Sequence, residues 1–166
     1  MINERVERVI NGQINKEFYS YYLYLAMAAH FESANLKGFA HWMRMQAGEE
    51  SGHAMKLYDY LLERGGKIVL EKLDAPPSNW NSHKNVFEDA YQHEQKVTKA
   101  ITELFELAKS EKDHATEVFL QWFIKEQVEE EASAFATLQR LELLGSDGGA
   151  IFMLDVELGK RAQSNG

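Results

Sequence analysis

From about residue 3 to residue 33, apolar side chains recur at intervals of three and four: Val6, Val9, Ile10, Ile14, Tyr21, Leu25 and Ala28. That spacing lays one apolar stripe along a helix. Ser33-Ala34-Asn35 interrupts it, and a second helical stretch runs from about 36 to 64. Gly65-Gly66 ends the second stretch, as glycine does just past a helix end. Residues 65–81 (GGKIVLEKLDAPPSNWN) hold turn residues and short apolar runs too broken for a helix. Both prolines of the chain, Pro76 and Pro77, fall here. Ser82 and Asp113 suit helix N-caps, so a third helix is predicted over 82–110 and a fourth over 113–144. Gly145 to Gly149 is a break, a short helix follows over 150–161, and the tail 162–166 is expected to lack regular structure.

This pattern predicts an all-α fold, a four-helix bundle with a short C-terminal fifth helix, in one domain spanning 1–166. The connections set its topology. Two are tight, so the helices they join are antiparallel neighbours. The 65–81 link can reach roughly 56 Å when extended, against about 42 Å for a 28-residue helix. It can therefore run the length of the bundle and leave the second and third helices parallel. One long crossover is the ferritin-like arrangement, whereas cytokine bundles have two.

The chain has no Cys, which removes disulfides and thiolate metal sites from consideration. Its net charge of −8 argues against nucleic acid as a partner and is compatible with attracting cations. No stretch approaches the ~20 apolar residues of a membrane span, and the opening MINERVERVINGQ has no apolar run after a basic stretch, so no secretory signal is expected. A cytoplasmic location without membrane attachment is the expectation.

Several carboxylates sit where a core should be. Glu17 lies among Ile14, Phe18, Tyr21 and Tyr24, and Glu94 lies near Tyr91, Val97 and Ile101. Glu50 and His53 form a Glu-x-x-His pair on one helix face. Gln127 and Glu130 lie between Phe123, Ile124, Ala134 and Leu138. Taken singly, each reads equally well as a boundary residue facing water. Their spacing says more. Glu17 to Glu50 and Glu94 to Gln127 are both separated by 33 positions. A shift of 77 carries 17, 49, 50 and 53 onto 94, 126, 127 and 130. Two hairpins so related, packed about a pseudo-two-fold axis, would bring these groups to one point. Buried carboxylates without partners are costly, and two divalent cations would neutralise Glu17, Glu50, Glu94 and Glu130. With His53 as the single nitrogen donor, an oxygen-rich site suits iron or manganese. Without metal, some of these carboxyls are expected to stay protonated near neutral pH.

On these residues, and over essentially the whole chain, the sequence resembles the ferritin family, specifically its non-haem bacterial branch. The ferritin-like di-iron pattern has Glu-x-x-His in both hairpins. This chain keeps it as Glu50-x-x-His53 and replaces the second with Gln127-x-x-Glu130, which is what ferritins proper look like. The resemblance implies a 24-subunit homo-oligomeric shell that oxidises Fe²⁺ with O₂ or H₂O₂ and stores a ferric mineral. It implies that Glu17, Glu50 and His53 bind one iron, that Glu50, Glu94 and Glu130 bind a second, and that Glu50 bridges them. The resemblance further implies that Gln127 sits beside them as a candidate for orienting the oxidant, and that Tyr24 is a candidate electron donor; its other reading is a packed aromatic bonded to a carboxylate. A third iron position would use Glu49, Glu126, Glu129 and Glu130; its bland counterpart is a solvated acidic run. Asp113, His114 and Glu117 would stand at a three-fold pore or simply cap the fourth helix.

The competing readings differ in what they require. A rubrerythrin-type peroxidase needs Cys-x-x-Cys pairs. Bacterioferritin needs a second Glu-x-x-His and a haem-ligating Met where Gly52 stands, so no haem is expected. The twelve-subunit DNA-protecting cage lacks the terminal helix. A shell devoted to H₂O₂ detoxification, working through the same site, is the remaining alternative. The apolar stripe Ile151, Phe152, Leu154, Val156 and Leu158 fits packing about a four-fold shell axis or folding back on the bundle.

Overall fold

The computed structural model describes residues 1–162, so part of the tail expected to be irregular lies outside the described residues. Its helices are α1 (Glu4–Ser33), α2 (Lys37–Glu63), α3 (His83–Ser110), α4 (His114–Leu144) and α5 (Gly148–Leu158). There is no strand among the described residues. The caps follow from side-chain chemistry: Asn3, Ser82, Asp113 and Asp147 each accept a hydrogen bond from a backbone N–H of the first turn.

α5 departs from the sequence expectation of 150–161. It starts at Gly148 because Asp147 accepts from the N–H groups of Gly149 and Ala150. It ends at Leu158, and the chain then leaves the helix axis so that Arg161 can turn back towards α2.

The two hairpins repeat each other down to their turns. Ser33 and Ser110 end the first helix of each hairpin, and Lys37 and His114 start the second, again 77 positions apart. Asn35 and Lys112, at the same separation, both adopt φ of 58°. The bonds Leu36 N→Phe31 O and Asp113 N→Ala108 O, both 2.9 Å, close the two turns identically. The left-handed conformation suits Asn and is strained for Lys.

One end of the bundle fixes the topology. Ile2 N donates to Arg64 O, Asn3 Nδ2 donates to Glu111 Oε2, and Arg64 pairs with Asp113. The starts of α1 and α4 therefore meet the ends of α2 and α3, and α2 and α3 run parallel. The crossover travels the whole length of α1, from Lys67 beside Glu7 to Trp80 against His30. Two amides hold its first part as a neighbouring strand would. Asn11 accepts from Val69 N and donates to Lys67 O, and Asn15 accepts from Glu71 N and donates to Val69 O. Asn11 and Asn15 are one helical turn apart, so they meet alternate residues of an extended segment.

α5 folds back on the bundle, and half its apolar stripe goes inward. Leu154 and Leu158 are buried, while Phe152 and Val156 are exposed. Its Asp155 accepts from Phe39 N, serving as the cap that Leu36 cannot supply to α2. Gly38 allows this approach, since a Cβ there would lie 1.6 Å from Asp155 O.

The apolar core divides in two. One cluster gathers Phe31, Phe39, Met43 and Phe87 with α5, and the other gathers Ile10, Ile14, Leu57, Leu61 and Phe123. Between them lies a buried polar layer drawn from all four long helices.

Candidate metal centre

The polar layer contains Glu17, Glu50, His53, Glu94, Gln127 and Glu130, none more than 5 % exposed. α1 supplies Glu17, α2 supplies Glu50 and His53, α3 supplies Glu94, and α4 supplies Gln127 and Glu130. Each points inward because helical periodicity puts it on the same stripe as the apolar residues above and below it.

Three sets of groups converge closely enough to share an ion. They are Glu17, Glu50 and His53; Glu50, Glu94 and Glu130; and His53, Glu126 and Glu130. Within each set the donor atoms lie within 4.8 Å of one another. Glu50 belongs to two sets, and its Oε2 is 3.5 Å from His53 Nδ1. Glu17 Oε2 is 4.0 Å from the same nitrogen.

The hydrogen bonds to these carboxylates fall to one oxygen each for Glu17, Glu50 and Glu130. Gln13 Nε2 donates to Glu17 Oε1 at 2.7 Å. Gln46 Nε2 donates to Glu50 Oε1 at 3.2 Å and also to Glu130 Oε2. The remaining oxygens, Glu17 Oε2, Glu50 Oε2 and Glu130 Oε1, are buried without a hydrogen-bond donor among the described residues, apart from the proton that Glu17 can share with Glu50. Buried polar atoms rarely go unpaired in a native protein. Lone pairs left open beside an imidazole are the donor set a hard or borderline cation takes. Glu94 is held on both sides: the Tyr24 hydroxyl donates to Oε1, and Gln127 Nε2 donates to Oε2 at 3.1 Å.

Burial makes negative charge here expensive. It pushes the Glu17 carboxyl well above its ordinary range, and the charge of Glu50 adds to the rise. Glu50 is raised by burial, then by Glu94 and Glu130. Burial lifts Glu94 to about 7, although hydrogen bonds from Tyr24 and Gln127 pull it back. Glu130 rises to about 8, through burial first and the charge of Glu94 second. Burial and Glu94 also raise the Tyr24 phenol, which keeps it a hydrogen-bond donor. The metal-free cluster thus holds protons at neutral pH that a bound cation would displace.

The other acidic groups lie to one side. Glu126 is half-buried, and its Oε1 is 4.0 Å from His53 Nε2. Glu49, Glu126, Glu129 and Glu130 line a common cleft of about 180 Å³ with Ser133, Arg161 and Ala162. Glu129 is exposed at its rim. Asp113, His114 and Glu117 are engaged locally. Asp113 pairs with Arg64 and caps Thr116, and His114 pairs with Glu117.

Three features of the layer were not anticipated from the sequence. Gln13 and Gln46 stand one turn before Glu17 and Glu50 and repeat their 33-position spacing. That repetition was the available signal. Arg161 reaches the layer from beyond α5, and no spacing foretells it. His93 pairs with Ser20 and stands edge-on to Tyr24, and burial holds its imidazole down at about 4.

An all-helical bundle with one long crossover, a C-terminal fifth helix and a carboxylate–histidine cluster between its hairpins defines a class of proteins. A profile described as a ferritin-like domain matches residues 7–144. The chain is 43% identical over 161 residues to the bacterial non-heme ferritin of Bacteroides fragilis (strain 638R), covering 97% of this chain and 100% of that protein. It is 40% identical to a probable bacterial non-heme ferritin-like protein of Haemophilus influenzae, over 96% of each. An open pore ferritin from the hyperthermophilic archaeon Archaeoglobus fulgidus superposes with a TM-score of 0.97 at 51% identity, over 98% of this chain and 100% of that one. The chain belongs to the ferritin family.

Proposed function

We propose that this protein stores iron, oxidising Fe²⁺ at the buried cluster and depositing the ferric product inside a shell of 24 copies. One observation carries the reading: interlocking donor sets share Glu50, and three of their carboxylate oxygens receive no hydrogen bond from an N–H donor among the described residues. Two Fe²⁺ ions are the substrate. Glu17, Glu50 and His53 hold one, and Glu50, Glu94 and Glu130 hold the other. A carboxylate shared between metal ions sets them roughly 3.5–4 Å apart.

Two Fe²⁺ so placed supply two electrons to one oxidant, O₂ or H₂O₂. The chain's own groups prepare that event. Gln13 and Gln46 fix the carboxylates of α1 and α2, and Tyr24 and Gln127 fix Glu94. Carboxylate donors favour the ferric state, so product formation is downhill. Protons held by Glu94 and Glu130 leave as the cations enter. Glu126 and Glu49, on the side of the cleft, form with Glu129 and Glu130 a third position through which iron passes. The exposed Phe152 and Val156 of α5 supply an apolar face for contact between subunits. The expected location is the cytoplasm. No observation favours peroxide detoxification as the main role, so storage stands as the conclusion.

The test is native mass followed by aerobic Fe²⁺ loading of the wild type and Glu50→Ala. A large assembly that retains an iron core is expected, with oxidation strongly slowed in the variant. A small oligomer without a core overturns storage, and undiminished oxidation in Glu50→Ala overturns the site.

A further inference from the structure

Beyond the end of α5, Arg161 folds back over α2. Its guanidinium lies 4.4 Å from the centroid of the Trp42 ring. Nη1 donates to the Trp42 carbonyl at 3.3 Å, and Nη2 donates to Gln46 Oε1 and to Glu49 Oε2, each at 2.8 Å. Its own carbonyl oxygen pairs with His41 Nε2 at 2.7 Å. Both sides of the ion pair are shielded, with side-chain exposures of 18% for Arg161 and 9% for Glu49.

The bond to Gln46 has a consequence inside the layer. An amide has one acceptor end and one donor end. Because Gln46 Oε1 accepts from Arg161, its NH₂ must face Glu50 and Glu130, to which it donates. Were the amide turned round, its oxygen would face two carboxylates. Guanidinium is a fixed planar fork with several donors, and an ammonium cannot reproduce that geometry. The same fork places a permanent positive charge in the cleft lined by Glu49, Glu126, Glu129 and Glu130.

We propose that Arg161 is a positioning residue and a cation gate: it orients Gln46 towards the paired-iron centre, and it occupies Glu49 until a metal ion entering from the cleft displaces it. The inference rests on the reading of the buried cluster as an iron centre. It ties the placement of Arg161 to the affinity of the acidic cleft. The cleft position therefore fills after the buried pair, because its cation must first remove another.

Anaerobic calorimetric titration of the metal-free protein with Fe²⁺ tests this, on wild type, Arg161→Gln and Arg161→Lys. Two tight ions and a weaker third are expected in the wild type. In Arg161→Gln the third should bind roughly three- to tenfold tighter, since a shielded ion pair no longer competes. The buried pair should weaken in the same variant, because Gln46 loses its anchor. Arg161→Lys keeps the charge without the fork, so its third ion should tighten less while its buried pair still weakens. A structural clamp alone would lower Tm in both variants and leave the third affinity unchanged, and that result overturns the proposal. Uptake of fewer than two ions by the wild type sinks the iron centre itself, and Arg161's role with it. Two unweakened tight sites beside an unmoved third in Arg161→Gln sink both roles of Arg161 and leave the iron centre standing.

Discussion

The perturbation that separates function from stability most sharply is Glu130→Gln. Glu130 sits at an ordinary value of 4.5 in an unfolded chain and about 8 in the folded, metal-free protein. Its folded value is the higher one, so the folded state holds more protons than the unfolded state between those limits. Stability must then fall as pH rises through that window. At about 1.4 kcal/mol per unit, Glu130 alone removes about 2 kcal/mol between pH 6 and pH 8. A glutamine matches the protonated acid in shape and cannot ionise. Its carbonyl can still accept from Gln46, and its NH₂ replaces Oε1, which has no hydrogen-bond partner among the described residues. Glu130→Gln should therefore stabilise the metal-free protein by about 2–4 kcal/mol at pH 8, and by little near pH 5. For a chain of this size that is a Tm rise of roughly 5–10 °C. Differential scanning calorimetry on chelator-treated protein at pH 5, 6, 7 and 8 reads it directly. The same variant should lose one Fe²⁺ per subunit. A wild-type Tm that is flat or rising from pH 6 to pH 8 refutes the reasoning, as does a variant with no gain at pH 8.

Three further outcomes follow from other contacts. Asn11→Ala removes two bonds to the crossover backbone and leaves Lys67 O and Val69 N without them; it should cost about 1–3 kcal/mol, seen as a lower Tm, with Fe²⁺ stoichiometry unchanged. Tyr24→Phe removes a donor from Glu94 and should raise that carboxyl above its present value of about 7; infrared difference spectroscopy of the carboxyl stretch against pH reads the shift, and an unmoved or lowered titration contradicts the bond's role. Fe²⁺ binding at pH 7 should release protons from Glu94 and Glu130. Calorimetry in two buffers of different ionisation enthalpy measures that release, and equal heats in both would show none.

The sequence carried the bundle because its signals are local and periodic. Apolar stripes, two prolines in one link, and cap residues at 82 and 113 locate the long helices to within one residue. The 77-position repeat of Glu17, Glu50 and His53 pointed to the side chains that meet, because a pseudo-two-fold axis between two equivalent hairpins brings matching inward positions to one layer. The repeat breaks at Gln13 and Gln46, whose counterparts in the second hairpin are Ala90 and Phe123. The 77-position shift could not reveal these donors, although their 33-position spacing, one turn before Glu17 and Glu50, could have. Arg161 was illegible for a different reason. Its place depends on where α5 stops and how Gly38 admits Asp155, and neither is periodic. The inner and outer halves of the α5 stripe were equally closed to pattern, since Leu154 and Phe152 read alike until a partner surface is placed against one of them.

The central claim is that the buried layer holds a pair of iron ions shared through Glu50. Anomalous diffraction at the iron edge from crystals soaked anaerobically in Fe²⁺ addresses it without reference to turnover. Two peaks per subunit are expected roughly 3.5–4 Å apart, one beside Glu17 and His53, the other beside Glu94 and Glu130, with Glu50 between them. A layer without peaks, with iron only on exposed acidic side chains, would contradict the account.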